Sequence, residues 1–430
     1  MALTGRAAAV ALAGVLVVLA VRSWLAVAGL AIALLAGVAL DLLLAAAIRP
    51  LQLNRSGDTT VRLGETATVT LTIANPGHRP LRATIRDAWP PSAGAVPSRV
   101  TIAIPAGRQA QAVITLTPTR RGDRNADRVT VRSTGPLGLA ARQGKHVIPW
   151  TVRALPPFRS RRHLPEKLSR LRELDGMHRS LIRGQGSEFD SLREYVPGDD
   201  VRSIDWRGTA RHQQVLVRTW RPERDRRIII VLDTGRTSAG RVADAPRLDT
   251  SMDAALLLAA LAVRAGDRVD LLAMDRQIRA RVIATPRPDV LRAFTAAMAP
   301  IEAELIESDS AAMAGVILAH ARQRCLVVLL TDLNPAALTE GLLPHIPLLA
   351  SRHILLLGSV ADPRLDELAA ARGNATAVYA AAAAETARAA RASLAATLRH
   401  HGVTVVDAPP DRLPPALADA YLDLKAAGRL

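Results

Sequence analysis

Residues 184–206 read GQGSEFDSLREYVPGDDVRSIDW, and no other part of the 430-residue chain is as unusual. This signature segment combines closely spaced carboxylates, two arginines and three large aromatic residues, in a chain that is only 3% aromatic. Its distinctive residues are Phe189, Asp190, Arg193, Glu194, Tyr195, Pro197, Gly198, Asp199, Asp200, Arg202, Asp205 and Trp206. Such a dense polar network either fixes a fold or builds a site.

Three interpretations of the signature segment follow from its composition. We favour a structural network in which Arg193 and Arg202 neutralise the acids while the three aromatic side chains pack beneath them. Alternatively, Glu194 and the aspartates could hold metal ions for phosphodiester cleavage. Arginine, tyrosine and tryptophan also contribute strongly to protein interfaces, so the segment could be a recognition surface as well.

The run G-x-E-F-D-x-L-R-E-Y-x-P-G-D-D-x-R-x-I-D-W closely resembles the signature of the domain-of-unknown-function family fifty-eight. The resemblance implies a membrane-anchored bacterial protein whose C-terminal part is similar to a von Willebrand factor A domain. It also implies a MoxR-type AAA+ ATPase as partner, and a role in assembling or maturing envelope proteins. Only the signature segment carries a specific match, so the resemblance indicates architecture more than activity.

Downstream of the signature segment, apolar strands alternate with helices. Strands are predicted at 228–232, 269–274, 278–283, 326–330, 354–357 and 403–406, and helices at 250–264, 289–298, 311–324, 335–349, 362–371 and 385–400. This pattern predicts an α/β fold, a doubly wound and mostly parallel sheet covered on both faces. Residues 227–430 therefore form one predicted domain, similar to a von Willebrand A domain. Residues 155–226 are predicted to be a linker with a helix at 164–174, followed by the signature segment and a strand at 215–220.

Residues 51–154 have a different pattern, in which Thr, Val and Ile alternate with polar residues. Alternation with a period of two is typical of strands buried on one face. The predicted strands lie at 66–74, 81–86, 99–104, 110–118, 127–133 and 145–152, with Gly and Pro between them. This spacing is typical of an all-β sandwich.

Residues 1–50 hold two apolar runs, 7–21 and 24–40, which predict a transmembrane hairpin. A cleaved signal peptide is the alternative, but the second apolar run follows almost at once. Arg49, Arg55 and Arg62 flank the second helix, and the turn offers only Arg22, so the positive-inside rule predicts an inner-membrane protein with cytoplasmic domains. Asp41 lies near the end of the second helix, where Arg49 could pair with it.

A candidate metal site lies at the carboxyl ends of two predicted strands, where ligands bind in such sheets. This arrangement resembles the metal-ion-dependent adhesion site of von Willebrand A domains. Carried across, the resemblance assigns Asp233, Thr237 and Asp332 as ligands of Mg²⁺, with Ser308 as a weaker match. Gly235 stands where the family has a serine, so one hydroxyl ligand is missing. If both aspartates instead cap the following helices, the site is structural.

The charge and residue composition of the chain exclude some classes of function. The net charge of +17 comes almost wholly from arginine, which indicates attraction to an anionic membrane surface more than a nucleic-acid site. The chain has no Walker A motif, and its single Cys325 excludes an internal disulfide. We therefore predict a non-enzymatic adaptor. The alternatives are a metal-dependent phosphoester hydrolase that uses the acidic signature, and a protein that binds anionic lipid or nucleic acid.

Overall fold

The computed structural model describes residues 1–181, 188–197, 199–212, 214–221 and 226–430. They divide into two units, Met1–Pro157 and Phe158–Leu430. The boundary falls at the pair Pro156-Pro157, where the loss of two backbone N–H donors ends the last strand of the first unit.

The first unit begins with two helices and continues with strands. Its helices are α1 (Gly5–Val21) and α2 (Trp24–Leu44). Its strands are β1 (Ala2–Leu3), β2 (Gln52–Gly57), β3 (Thr60–Arg62), β4 (Ala67–Ala74), β5 (Leu81–Asp87), β6 (Ala95–Val96), β7 (Arg99–Ile104), β8 (Gln109–Leu116), β9 (Gly122–Thr134) and β10 (Ala140–Leu155). One sheet has the order β1-β10-β9-β5-β7, with β3 beside β10, and the other has the order β2-β4-β8-β6.

Both sheets of the first unit bury one face in a shared core. Val69, Leu71 and Ile73 of β4 are buried on one side of their strand, and their polar neighbours lie on the other. From the other sheet, Ile85 and Val131 join the same apolar cluster. The predicted strand-rich region is therefore confirmed.

Arg55 departs from its predicted role as a flanking charge of the second helix. Its guanidinium is buried, forms an ion pair with Asp87, and donates to the carbonyl of Ala126 at 3.2 Å. The indole N–H of Trp89 donates to the same carboxylate at 2.8 Å. The physical reason is its place in β2, where the side chain points into the core and needs a counter-charge.

Asp41 is fully buried, and the structure pairs it with backbone groups of the β9–β10 loop. Its carboxylate accepts hydrogen bonds from the N–H groups of Leu137, Leu139 and Ala140 at 2.7, 2.5 and 3.0 Å. The suggested pairing with Arg49 is wrong, because Arg49 is exposed beyond the end of α2. Three convergent backbone donors can stabilise a buried carboxylate without a cation. Asp41 thereby joins α2 to the strands of the first unit.

The second unit alternates helices and strands. Its helices are α3 (Leu164–Leu181), α4 (Trp206–His212), α5 (Arg236–Ala239), α6 (Arg247–Arg264), α7 (Val290–Met298), α8 (Ser310–His320), α9 (Pro335–Ala337), α10 (Ile346–Arg352), α11 (Arg364–Ala370), α12 (Ala375–His400) and α13 (Leu413–Ala426). Its strands are β11 (Glu188–Glu194), β12 (Leu216–Arg221), β13 (Arg227–Asp233), β14 (Arg241–Val242), β15 (Ala245–Pro246), β16 (Arg268–Met274), β17 (Ile278–Val282), β18 (Leu326–Leu330), β19 (Ile354–Val360) and β20 (Thr404–Ala408).

The large sheet of this unit has the order β17-β16-β13-β18-β19-β20. Neighbours from β16 to β20 pair in parallel, and β17 joins the edge antiparallel, so the sheet is partly parallel. Alternate residues of β13 enter two different cores. Ile228 and Ile230 pack with α6 and α13, whereas Ile229 and Val231 pack with side chains of α8 and α10. Burial on both faces explains why these strands are continuous apolar runs.

The helix predicted at 335–349 is divided into short pieces. A π-helical turn (Leu338–Leu342) and a 3-10 turn (Leu343–His345) separate α9 from α10. Pro344 and Pro347 supply no backbone N–H, so a continuous ladder of α-helical hydrogen bonds cannot form here. This segment borders the cavity described next.

Candidate functional site

Asp233, the last residue of β13, is the centre of a cluster of hydroxyl groups at the carboxyl edge of the large sheet. Its side chain is buried, and one carboxylate oxygen accepts hydrogen bonds from the Ser308 hydroxyl and the Gly235 N–H. The other oxygen accepts from Thr331 Oγ1 at 2.6 Å and from Thr237 Oγ1 at 3.4 Å. The structure therefore brings Asp233, Thr237 and Ser308 together as predicted, and adds Thr331.

Gly235 explains how Ser308 reaches Asp233. A Cβ atom on Gly235 would lie 2.2 Å from Ser308 Oγ and 2.9 Å from the Ile306 carbonyl oxygen. The space that a serine side chain would need at position 235 is thus filled by the hydroxyl of Ser308. The Arg236 N–H donates to the Ile306 carbonyl at 2.7 Å, which fixes the Ser308 loop beside the end of β13. The hydroxyl that the sequence pattern lacks is supplied from another loop.

A cavity of about 260 Å³ opens beside this cluster. Its polar lining includes Asp233, the three clustered hydroxyl residues and Glu340, and its apolar wall comes from side chains such as Met313 and Leu342. The short helical pieces after β18 form one side of the cavity. Buried and half-buried oxygen atoms that face an open, partly apolar cavity are suited to a partner's polar group or to a hydrated cation.

Asp332, the other predicted ligand, does not join the cluster. Its carboxylate lies 2.8 Å from an Arg391 guanidinium nitrogen and 3.3 Å from one of Arg247. The reason is the register of β13 and β18. Leu232 pairs with Leu330, so the next residue, Thr331, lies beside Asp233, and Asp332 lies one residue further along the chain. Successive side chains of a strand point to opposite faces. Asp332 therefore has other partners than the cluster and does not line its cavity, and a metal shared by Asp233 and Asp332 stays a prediction.

Arg391 keeps its charge at this second position. Burial alone would lower its pKa, but a hydrogen bond to Asp407 and the negative charges of Asp332 and Asp407 raise the pKa above its ordinary value. Its guanidinium also donates to Ser359 Oγ at 2.9 Å. Asp332, which follows β18, is consequently neutralised by a network that includes Ser359 of β19, Arg391 of α12 and Asp407 of β20. No spacing of residues in the sequence indicates these contacts.

The carboxylates of the signature segment make local structural hydrogen bonds. Asp199 accepts from Arg193 at 2.6 Å and from the Val196 N–H at 3.0 Å, and these two bonds lower its pKa. Asp200 caps a short 3-10 turn by accepting from the Arg202 N–H at 3.0 Å. These bonds confirm the expected pairing of Arg193 with an acid.

Asp205 precedes α4, and its counter-charge lies outside the signature segment. Its carboxylate accepts from the N–H groups of Arg207 and Gly208 at 3.0 Å and from Arg218 at 2.9 Å. The backbone bond from Gly208 and the bond from Arg218 are the main causes of its lowered pKa. Arg218 of β12, and not Arg202, is thus the counter-charge of this aspartate.

The prediction that Trp206 packs beneath the charged residues is wrong, because this side chain is 67% exposed. Gly208 faces Leu192 and Leu216 at 3.2 and 3.4 Å from its ideal Cβ position, so it lies on the inner face of α4. Residues two apart in a helix are related by a rotation of roughly 200° and so lie on opposite sides of it. Trp206 is two residues before Gly208 and therefore points outward. Tyr195 is half-buried and its backbone N–H donates to the Val215 carbonyl at 2.8 Å.

The remaining signature residues are only partly described. Phe189 and Asp190 lie in β11, but their side chains lie outside the described part of the chain, as does all of Gly198. Pro197 is an exposed turn residue, and Glu194 ends β11 with an exposed side chain.

The Asp233 cluster can be compared with the needs of Mg²⁺. This ion prefers oxygen ligands in octahedral geometry and readily keeps waters. The cluster offers one carboxylate and three hydroxyls, so its donor type fits, although Asp332 is not among the donors. Among the described residues, no group of three or more His, Cys, Asp or Glu side chains could hold a metal ion. Any cation here would therefore depend on hydroxyls, waters and a further ligand.

Comparisons with known proteins place these observations in a family. A family model described as "Protein of unknown function DUF58" matches residues 191–403. Uncharacterised proteins of Mycobacterium tuberculosis and Mycobacterium bovis are each 31% identical over 200 residues, covering 45% of this chain. The match spans only 61% of the length of those relatives.

Similar solved structures cover about a quarter of the chain. A PapD-like domain of human CEP192 is similar over 24% of this chain and 84% of its own length, with 12% identity and a TM-score of 0.19. The CARDB domain of a Pyrococcus furiosus protein is similar over 24% of this chain and 86% of its own length, with 15% identity and a TM-score of 0.19.

Proposed function

The chain belongs to the family of proteins of unknown function DUF58, and from this premise we propose that it is a membrane-anchored, non-enzymatic adaptor. In this proposal its C-terminal α/β unit is similar to a von Willebrand A domain and binds a protein partner at the Asp233 cluster. The partner implied by the family resemblance is a MoxR-type AAA+ ATPase, acting on envelope proteins during assembly or maturation.

The observation that carries the proposal is the convergence of Thr237, Ser308 and Thr331 on the Asp233 carboxylate beside an open cavity. The four side chains come from three separate segments, residues 233–237, the loop at Ser308 and the end of β18 at Thr331, so their meeting is not explained by the capping of one helix. A Mg²⁺ ion held by these oxygens would supply an open coordination position for a carboxylate of the partner. Calorimetry with Mg²⁺ tests this part, because identical heats for wild type and Asp233→Ala would exclude a metal at the cluster.

The proposed anchor is the helix pair α1 and α2. Helix α2 is long and apolar enough to cross a membrane by length and composition, and α1 is a shorter apolar helix. Large apolar side chains on both helices are between 49% and 80% exposed: Val15, Leu19, Trp24, Leu25, Ile32 and Leu35. Lipid would cover this surface favourably. With Arg49 exposed after α2, we propose a hairpin with residues 51–430 in the cytoplasm, so a reporter active only in the periplasm should stay silent when it is fused after Leu430.

The rival function, a phosphoester hydrolase that uses the signature acids, has weaker support. Asp199, Asp200 and Asp205 already accept backbone or arginine hydrogen bonds that hold turns and a helix end. A carboxylate used in this way has fewer lone pairs left for a metal ion. Turnover of a phosphodiester by the purified chain with Mn²⁺, lost in Asp205→Asn, would instead support the hydrolase.

Binding of the full chain, in neutral detergent, to a purified MoxR-type ATPase from the same genome tests the adaptor proposal. We expect Asp233→Asn to weaken binding at least about tenfold, since hot-spot contacts are commonly worth that much or more. Asp411→Asn is the matched control, because Asp411 is an exposed carboxylate after β20 that does not line the cavity. Equal affinity of wild type and both variants, or no binding at all, would contradict the proposal.

A further inference from the structure

A second and larger cavity lies at the opposite edge of the large sheet, where the parallel strands begin. Its volume is about 570 Å³, within the range of pockets that hold small ligands. Arg227 and Ile228 at the start of β13, Leu326 at the start of β18, and Ile354 at the start of β19 line it. The Asp233 cluster lies at the far ends of β13 and β18, so the two sites are separate.

Arginine dominates the polar lining of this cavity. Arg322 and Arg324 precede β18, and Arg429 follows α13, and all three line the cavity with exposed side chains. None of these three guanidinium groups has a carboxylate partner in the part of the chain that the structure describes. Three unneutralised guanidinium groups around one opening produce a strongly positive potential there.

Two aspartates near the cavity are already engaged. Asp270 pairs with Arg227 at 2.6 Å and lies 2.9 Å from His320 Nε2. Asp267 accepts a hydrogen bond from the Tyr421 hydroxyl and lies 3.7 Å from Lys425 Nζ. Burial raises the pKa of the Asp267 carboxyl, and the nearby Lys425 and the Tyr421 hydroxyl act in the opposite direction. Neither Asp270 nor Asp267 is therefore free to pair with Arg322, Arg324 or Arg429.

We propose that this cavity binds a phosphate-bearing molecule through Arg322, Arg324 and Arg429. Guanidinium groups bind phosphate oxygens with paired, charge-assisted hydrogen bonds, so a cluster of arginines favours a phosphate group over a single carboxylate. The apolar floor formed by Ile228, Leu326 and Ile354 accommodates the uncharged body of the ligand. The phosphate could belong to a soluble nucleotide or to a lipid headgroup, and the binding experiment separates these sources.

Three probes are titrated into the full chain in neutral detergent at about 0.15 M salt, where long-range attraction is screened. They are inorganic pyrophosphate, ADP and water-soluble dihexanoyl phosphatidylglycerol. We expect Arg322→Gln/Arg324→Gln to weaken binding at least about tenfold, because two charge-assisted contacts are lost. Arg429→Gln, a single change outside the segment that holds Arg322 and Arg324, should weaken binding in the same direction, and it tests the site independently if the double variant misfolds.

Arg82→Gln/Arg86→Gln is the charge-matched control, since both residues are exposed on β5 of the first unit. It removes the same charge from a chain with a net charge of +17, and should bind every probe as wild type does. Selective loss with pyrophosphate and ADP identifies a soluble phosphate ligand, and selective loss with the lipid alone identifies a headgroup. If no probe binds wild type, or if both double variants bind equally, the proposal is overturned.

Discussion

The buried contact between Asp41 and the β9–β10 loop leads to a quantitative prediction. Replacing Asp41 by alanine removes the only described acceptor shared by the N–H groups of Leu137, Leu139 and Ala140. A buried donor without a partner costs about 1–3 kcal/mol. Loss of all three bonds should therefore favour local opening of the loop by on the order of 3 kcal/mol or more.

That free energy corresponds to roughly 100-fold faster amide exchange in the loop, because each 1.4 kcal/mol or so changes an opening equilibrium about tenfold. Asp41→Asn retains one carbonyl oxygen and should produce a smaller change, of about tenfold. Hydrogen–deuterium exchange of the detergent-solubilised chain, followed by mass spectrometry of peptides covering residues 135–142, measures both effects.

Arg49→Gln is the discriminating control. If Asp41 paired with Arg49, as the sequence suggests, Asp41→Ala and Arg49→Gln would change amide exchange of the loop by similar amounts. The structure places Arg49 exposed and Gly135 against Asp41, with its ideal Cβ position only 2.4 Å from Asp41 Oδ1. Arg49→Gln should consequently leave exchange of the loop unchanged. Unaltered exchange in Asp41→Ala, or equal acceleration in both variants, would refute the structural argument.

Two further predictions concern buried groups elsewhere. Asp87→Ala should lower the free energy of unfolding of the first unit by about 3–5 kcal/mol, because it leaves the Arg55 charge buried without its partner. Asp127→Ala is the control: it removes a surface ion pair with Arg128 and should change thermal unfolding little. Burial raises the pKa of the Cys325 thiol to about 11, so iodoacetamide at pH 8 should label the native chain far more slowly than the unfolded chain. Intact-mass spectrometry follows the labelling, and rapid labelling of the native chain would contradict this burial.

Much of the secondary structure follows from the spacing of apolar residues. The alternation in 66–74 and the apolar run 228–232 correspond closely to β4 and β13, since burial on one or two faces leaves different patterns. Helix α13 is not predicted, because Pro414 and Pro415 suggest a turn. Proline is tolerated in the first helical turn, where its missing N–H has no partner to lose, so the two prolines begin this helix instead of preventing it.

The signature segment shows what a local pattern can and cannot predict. Its density of charge correctly indicates a polar network, since Asp199 and Asp205 each accept several hydrogen bonds. The partner of Asp205 is Arg218, which lies outside the segment on the paired strand β12. Cross-strand partners depend on how a hairpin pairs, and the strand character of β11 is hidden by its acidic residues, which are unfavourable in strands.

Strand register determines which side chains form the Asp233 cluster, and register cannot be predicted from a single sequence. Sequence reasoning locates Asp233 and Asp332 correctly at the ends of neighbouring strands β13 and β18. A shift of one residue in pairing exchanges the faces on which side chains lie. Because Leu232 is opposite Leu330, Thr331 becomes the neighbour of Asp233, and Asp332 turns toward Arg247 and Arg391. The same edge thus separates into a hydroxyl-rich site that faces a cavity and a closed ion-pair network, and only the first retains oxygen atoms available to a partner.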